Sequence, residues 1–147
     1  MSGTIPTEPK LGIMSFDGRE HMTQRIVKQP GPDHRIELSP NPHRVLVMAG
    51  GRIVADTRQA LTLREASYPP IHYVPREDVD MAALERSEKQ TYCPYKGDAS
   101  YFSIPVGGER SRNAAWSYET PFASVPMIKG HLAFFPDRVD SIEERDL

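Results

Sequence analysis

The fourteen prolines of this chain limit its architecture more than any other feature. In 147 residues they are about twice the usual share. Each fixes φ and removes a backbone donor, so each breaks helix interiors and central sheet positions alike. The segments between them are short, and most are patterned as strands. Val45-Leu46-Val47-Met48-Ala49 and Ile53-Val54-Ala55 are apolar, β-branched runs on either side of Gly50-Gly51, which predicts a β-hairpin. Leu61 to Ala66 alternates apolar and polar residues until Tyr68-Pro69-Pro70 stops it. Ile71-His72-Tyr73-Val74 is a short strand ended by Pro75. Ala99 to Val106 and Ala114 to Glu119 are strand-like runs around a polar loop, and His131 to Phe135 is a last strand closed by Pro136. Val125 to Gly130 reads as a turn of helix. One further helix is expected from Asp78 or Asp80 to Lys89. An aspartate would cap it, Val79, Ala82, Ala83 and Leu84 would form its apolar stripe, and Arg86 and Lys89 would lie near its C-terminal end.

The expected fold class is mainly β, at the border of α+β: an antiparallel sandwich or barrel-like sheet with one or two short helices and an extended N-terminal arm. Residues 1–43 are the Pro-rich arm, which wraps the domain or a partner subunit, or over 1–20 remains a loose tail. Residues 44–140 form the single strand-rich core domain. Residues 141–147 are an acidic C-terminal tail, expected to fray. The arm offers a route to a homodimer. A net charge of −2 supplies no broad basic field for nucleic acid or for an anionic membrane. No apolar run is long enough to span a bilayer. The N-terminus shows no secretory pattern, and one cysteine makes no internal disulfide, so a cytoplasmic location is expected.

From Arg44 to Asp140 a series of blocks occurs in order: Gly50-Gly51 with Ala55-Asp56-Thr57; Glu65, Pro70 and Tyr73-Val74-Pro75; Thr91-Tyr92-Cys93-Pro94-Tyr95-Lys96-Gly97 with Ala99 and Tyr101; Ala115-Trp116-Ser117-Tyr118 with Pro121; and Ile128-Lys129-Gly130 with Ala133-Phe134. In these blocks the chain resembles a bacterial family, domain-of-unknown-function family 427. The cysteine block and the Trp-Ser-Tyr block are the specific ones. The family's label suggests a nucleotidyltransferase, but the resemblance assigns no catalytic residues. The residues argue against that activity. A phosphate-cradling glycine loop should open a helix, whereas Ile53-Val54-Ala55 follows Gly51 at once as a strand. No pair of closely spaced aspartates follows a Gly-Ser on a strand to hold magnesium ions, and Asp78 and Asp80 are better read as helix caps.

Cys93 is the only thiol, and Lys96 three residues on would favour its thiolate if a turn at Pro94 brings the two together. His72 and Glu65 are the candidate proton-transfer groups beside this pair. The competing reading of Cys93 is a small buried apolar residue. Lys96, followed by the pliant Gly97, is also a candidate for holding a phosphate or carboxylate, which makes an anionic small molecule the natural ligand. Strand alternation places Trp116 and Tyr118 on one face, with Tyr101 near Tyr118 on the preceding strand. That face is either a second core or the wall of a ligand pocket shared with Tyr73 and Tyr95. The five histidines are scattered and no Cys-x-x-Cys is present, so no metal and no cofactor are predicted. The leading expectation is thus a small-molecule-binding or enzymatic domain. The alternative is a non-enzymatic interaction or oligomerisation module that uses the same aromatics as an interface.

Overall fold

The computed structural model describes residues 25–146. Among them ten strands form three antiparallel sheets, none closed into a barrel. The strands are β1 (Ile36–Pro40), β2 (Arg44–Ala49), β3 (Arg52–Thr57), β4 (Leu61–Glu65), β5 (Ile71–Tyr73), β6 (Glu85–Cys93), β7 (Gly97–Ser103), β8 (Ala115–Ser117), β9 (Ala133–Phe134) and β10 (Ser141–Arg145). The sheet orders are β1-β4-β5, β10-β2-β3 and β6-β7-β8-β9. The mainly-β class holds, in its open, sandwich-like form. No helix among the described residues is long and apolar enough to cross a membrane.

The four-stranded sheet is buried on both faces where β7, β8 and β9 pair, and its register shows how. Tyr101, Trp116 and Ala133 lie opposite one another across β7, β8 and β9, and so do Phe102, Ala115 and Phe134. Successive residues point to opposite faces of a strand. The first row therefore joins a cluster with Leu63, Ile71 and Tyr73 from the β1-β4-β5 sheet. The second row joins one with Val47, Ala49, Val54 and Ala55 from the β10-β2-β3 sheet. Of the two readings of the face with Tyr101, Trp116 and Tyr118, the structure shows the buried second core.

Gly50-Gly51 turns the β2–β3 hairpin, with Ala49 opposite Arg52. Both glycines have positive φ, +59° and +79°, the pairing a two-residue type I′ turn needs. A Cβ at Gly50 would also stand 2.3 Å from the Val106 carbonyl oxygen, while one at Gly51 would meet open space. Gly50→Ala should therefore cost more than Gly51→Ala, by about 1–3 kcal/mol in a urea titration. Equal costs would show that the Val106 segment yields freely.

Three expectations are corrected. The helix from Asp78 to Lys89 is instead two single 3-10 turns, Arg76–Asp78 and Met81–Ala83, followed by β6. Glu85 to Gln90 is polar because β6 is an edge strand, where charged side chains face water and discourage further pairing. Neither aspartate side chain makes a capping hydrogen bond: the Asp78 carboxylate accepts from the Thr57 hydroxyl at 2.7 Å, and Asp80, at the N-cap of the second turn, pairs with Arg52. The acidic segment after Asp140 does not fray, since Ser141–Arg145 is β10 and pairs with β2 over its whole length. The sheet also reaches further back than Arg44, because β1 pairs with β4. Residues 1–24 of the expected arm lie outside the described residues. The later part of that arm lies on its own domain: Lys28 N–H donates to the Pro94 carbonyl at 2.9 Å, and the Tyr92 hydroxyl donates to the Ile26 carbonyl.

Candidate functional site

Cys93 ends β6, and Gly97 opposite it begins β7. Between them Pro94 supplies the fixed φ that favours the second position of a β-turn. The turn closes with the Lys96 N–H donating to the Cys93 carbonyl at 3.2 Å, and Gly97 leaves it with φ +111°. The Lys96 carbonyl accepts from Phe122 N–H at 2.9 Å, which pins the turn from outside. The Lys96 side chain consequently runs inward and is 0% exposed.

At its end Lys96 Nζ lies 2.5 Å from Glu65 Oε1 and 3.8 Å from Cys93 Sγ. Glu65 is the last residue of β4, on the face that Leu61 and Leu63 turn to the core, and is also 0% exposed. Its second oxygen, Oε2, lies 2.5 Å from His34 Nε2. His34 closes a tight turn with Gly31, each N–H reaching the other's carbonyl, and its side chain keeps 21% exposure. The imidazole stacks on Tyr95 from the hairpin turn, with ring centres 4.0 Å apart and planes 5° from parallel. A buried ion pair thus ends at a part-exposed histidine, and Tyr95 forms its roof.

An ionised carboxylate only accepts hydrogen bonds, so opposite a Glu65 carboxylate the hydrogen lies on His34 Nε2. A carboxylate fixing one imidazole nitrogen while the other acts as base is the arrangement acid–base sites use. Lys96 offsets the carboxylate charge that would otherwise stand alone in the core.

Below this relay the aromatics form a closed wall. Trp116 Nε1–H donates to the Tyr73 hydroxyl at 3.3 Å, and Thr91 and Tyr101 share a hydrogen bond at 2.9 Å. Burial raises the pKa values of Tyr73 and Tyr118, the latter well above its ordinary value, so both remain neutral phenols. The Tyr118 hydroxyl is buried and has no hydrogen-bond partner among the described residues, and its ring centre lies 6.0 Å from Lys96 Nζ. Tyr73, Tyr101, Trp116 and Tyr118 are all buried, so as they stand they offer no exposed face to a partner protein. Cys93, 4% exposed, likewise faces the core.

The structure brings Cys93, Lys96 and Glu65 together, as expected, and leaves His72 out. On β5, Ile71 and Tyr73 point into the aromatic core, so His72 points the other way. Its Nδ1 lies 3.0 Å from Thr62 Oγ1, and its Nε2 lies 3.4 Å from Glu144 Oε2. Burial lowers the His72 pKa; the Glu144 charge acts against this and Arg64 with it. His34 takes the place foreseen for His72. No local pattern marks it, because it stands alone among turn residues and its partner is 31 positions away.

The family model described as domain of unknown function (DUF427) matches residues 37–145, a span that holds Glu65, Cys93, Lys96 and the aromatic wall. The chain belongs to that family. No curated protein matches the chain.

Proposed function

We propose that this DUF427 member is a small-molecule-binding domain of enzymatic type, with acid–base chemistry carried by the Lys96–Glu65–His34 relay. The supporting observation is the fully buried ion pair that ends on a part-exposed imidazole. Burying a lysine and a glutamate together adds little net stability compared with apolar residues of the same shape, so packing alone is a weak reason for them. Positioning a base is a better one. His34 Nδ1 would accept a proton from the ligand, Glu65 would stabilise the imidazolium, and Lys96 would hold Glu65 ionised and in place. Cys93 lies beside the ammonium as a polarisable neighbour in this reading, and the aromatics keep water from the lower side of the pair.

The ligand would sit on the turn that carries His34. A shallow hollow of 310 Å³ lies beside that turn, lined by Pro30, Gly31, Pro32, Arg35, Ile36 and Glu37, with His34 next to it rather than in its lining. Arg35 gives it a cation able to take a carboxylate or phosphate through paired N–H donors. The expected ligand is therefore a small anion with a proton to lose.

Titration of ¹⁵N-labelled protein with pyruvate, acetate and inorganic phosphate tests this. At least one should move the His34 ring nitrogens together with the Arg35 and Tyr95 amides. His34→Ala should abolish the response and leave the far-ultraviolet circular dichroism unchanged. No response at His34 with any of the three, or an unaltered response in the variant, would overturn the assignment.

A further inference from the structure

Away from the relay, β5 and β9 run toward each other and then part. They are joined just beyond their ends by one bridge. Val74 N–H donates to the Leu132 carbonyl at 2.8 Å, and Leu132 N–H returns to the Val74 carbonyl at 2.9 Å. Antiparallel register would next set His72 opposite Phe134, and then Pro70 opposite Pro136. Neither proline has an N–H to give, so the ladder cannot continue there. No ladder pair joins His72 to Phe134 among the described residues. A cavity of 250 Å³ lies beside both, with the exposed Pro70 and Pro136 at its mouth.

Alternation gives this gap its polarity. In an antiparallel sheet one residue turns its N–H and C=O to one neighbouring strand, and the next residue turns its own to the other. Val74 turns both groups to Leu132, so His72 faces β9 as well, and Ile71 and Tyr73 serve β4. Phe135 N–H donates to the Ala114 carbonyl at 2.8 Å, so Ala133 and Phe135 serve β8, and Phe134 faces β5. The parting strands therefore each present one N–H and one C=O to the space between them.

The side chains add no free polar group. Val45 and Val47 of β2, with Ile142 of β10, form the apolar wall, and the one titratable side chain in the lining is His72. Asn41 Nδ2 donates to Thr62 Oγ1 at 3.0 Å, which leaves the hydroxyl hydrogen for His72 Nδ1, also at 3.0 Å. Burial lowers the His72 pKa and so favours the neutral ring. Its own hydrogen then lies on Nε2 and points to Glu144 Oε2 at 3.4 Å. Both ring nitrogens are committed, and an ion inside the cavity would find no free counter-charge in its lining.

We propose that this cavity binds a small uncharged amide, whose N–H and C=O stand in for the missing ladder partners of His72 and Phe134 and whose apolar body lies against Val45, Val47 and Ile142. An amide carries a donor and an acceptor together, as a strand does. A carboxylate has no donor, and an ammonium has no acceptor. At about 30 Å³ for a water-sized group, the space holds roughly eight non-hydrogen atoms, which suffices for isovaleramide. The reading goes beyond the acid–base site, and neither depends on the other.

The test is a nuclear magnetic resonance titration of the intact chain at neutral pH with isovaleramide, isovalerate and isoamylamine, which share one branched body. Isovaleramide should shift the methyl groups of Val45, Val47 and Ile142. It should also move the backbone amide protons of His72 and Phe134 downfield, as a new hydrogen bond does. Isovalerate and isoamylamine should leave these signals in place. Ile142→Trp, at a part-exposed position of the wall, should fill the space and weaken isovaleramide at least tenfold, with circular dichroism checking that the variant folds. The ligand series in the natural protein decides the matter if it does not. The proposal is overturned if isovaleramide produces no shift, if either charged analogue binds equally well, or if the methyl groups respond while the His72 and Phe134 amides stay still. It is also overturned if a folded Ile142→Trp variant binds as the natural protein does.

Discussion

Replacing Glu65 with alanine should destabilise the protein by about 3–5 kcal/mol, more than any change at its surface. Lys96 and Glu65 are both 0% exposed, and their charged atoms meet at 2.5 Å. With Glu65 gone, the ammonium stays in a core lined by Tyr118 and Cys93 and loses the carboxylate that met it at 2.5 Å. Either it ionises against the full desolvation cost, or it gives up its proton. Both routes lower the stability of the folded state. Lys96→Met should also destabilise, by somewhat less, because the buried carboxylate loses the ammonium but keeps its contact with His34. The double variant Glu65→Leu/Lys96→Met should recover most of the loss, because replacing both partners with apolar groups removes the penalty each leaves for the other. Urea titrations of the natural protein, the two single variants and the double variant close the cycle. Single losses that simply add in the double variant would mean that the two side chains are not coupled, and the relay would lose its foundation. The double variant separates stability from function as well: it should fold, yet fail to show the anion response at His34.

The sequence made this pair only partly legible, and the reason is distance along the chain. The Cys93–Lys96 juxtaposition was readable because proline at the second turn position and glycine after the fourth define a tight turn locally. The Gly50-Gly51 hairpin was readable for the same reason. Glu65 could be suspected, since the alternation of Leu61, Leu63 and Glu65 puts it on the apolar face of β4. That its two oxygens would join a lysine and a histidine, each 31 residues away in opposite directions, depends on how two sheets pack, and no local pattern carries that. The same limit explains the misread segments. Glu85 to Lys89 has the charge pattern of a solvated helix, but an edge strand also leaves its side chains in water, and pairing with β7 decides between them. Ser141 to Arg145 looks like an acidic tail until β2 is found to have a free edge for it. His72 was misplaced because a short strand has two faces. Either could have been the inner one, and Tyr73 took it.

Trp116→Ala should remove about 3–5 kcal/mol, the other large loss expected in this molecule. Trp116 is 0% exposed and sits on β8, an interior strand of the four-stranded sheet. It lies between Tyr101 on β7 and Ala133 on β9, and its ring is 4.5 Å from that of Phe135. The residue opposite on β9 is an alanine, so no large neighbour stands there to fill the hole. The buried Tyr73 hydroxyl would also lose its donor, which adds a separate cost of about 1–3 kcal/mol unless water enters. Trp116→Phe keeps a ring in the cavity but loses the N–H, so its deficit should be clearly smaller and should come largely from Tyr73. As Trp116 is the only tryptophan, unfolding of both variants has to be followed by far-ultraviolet circular dichroism rather than by fluorescence. In the natural protein the same fact makes its emission a direct report on this core: it should be blue-shifted in the folded state and move to the red on unfolding. A Trp116→Ala variant within about 1 kcal/mol of the natural protein would show that the aromatic layer closes without its indole. In that case it could not serve as the water-tight floor that the Lys96–Glu65 pair requires.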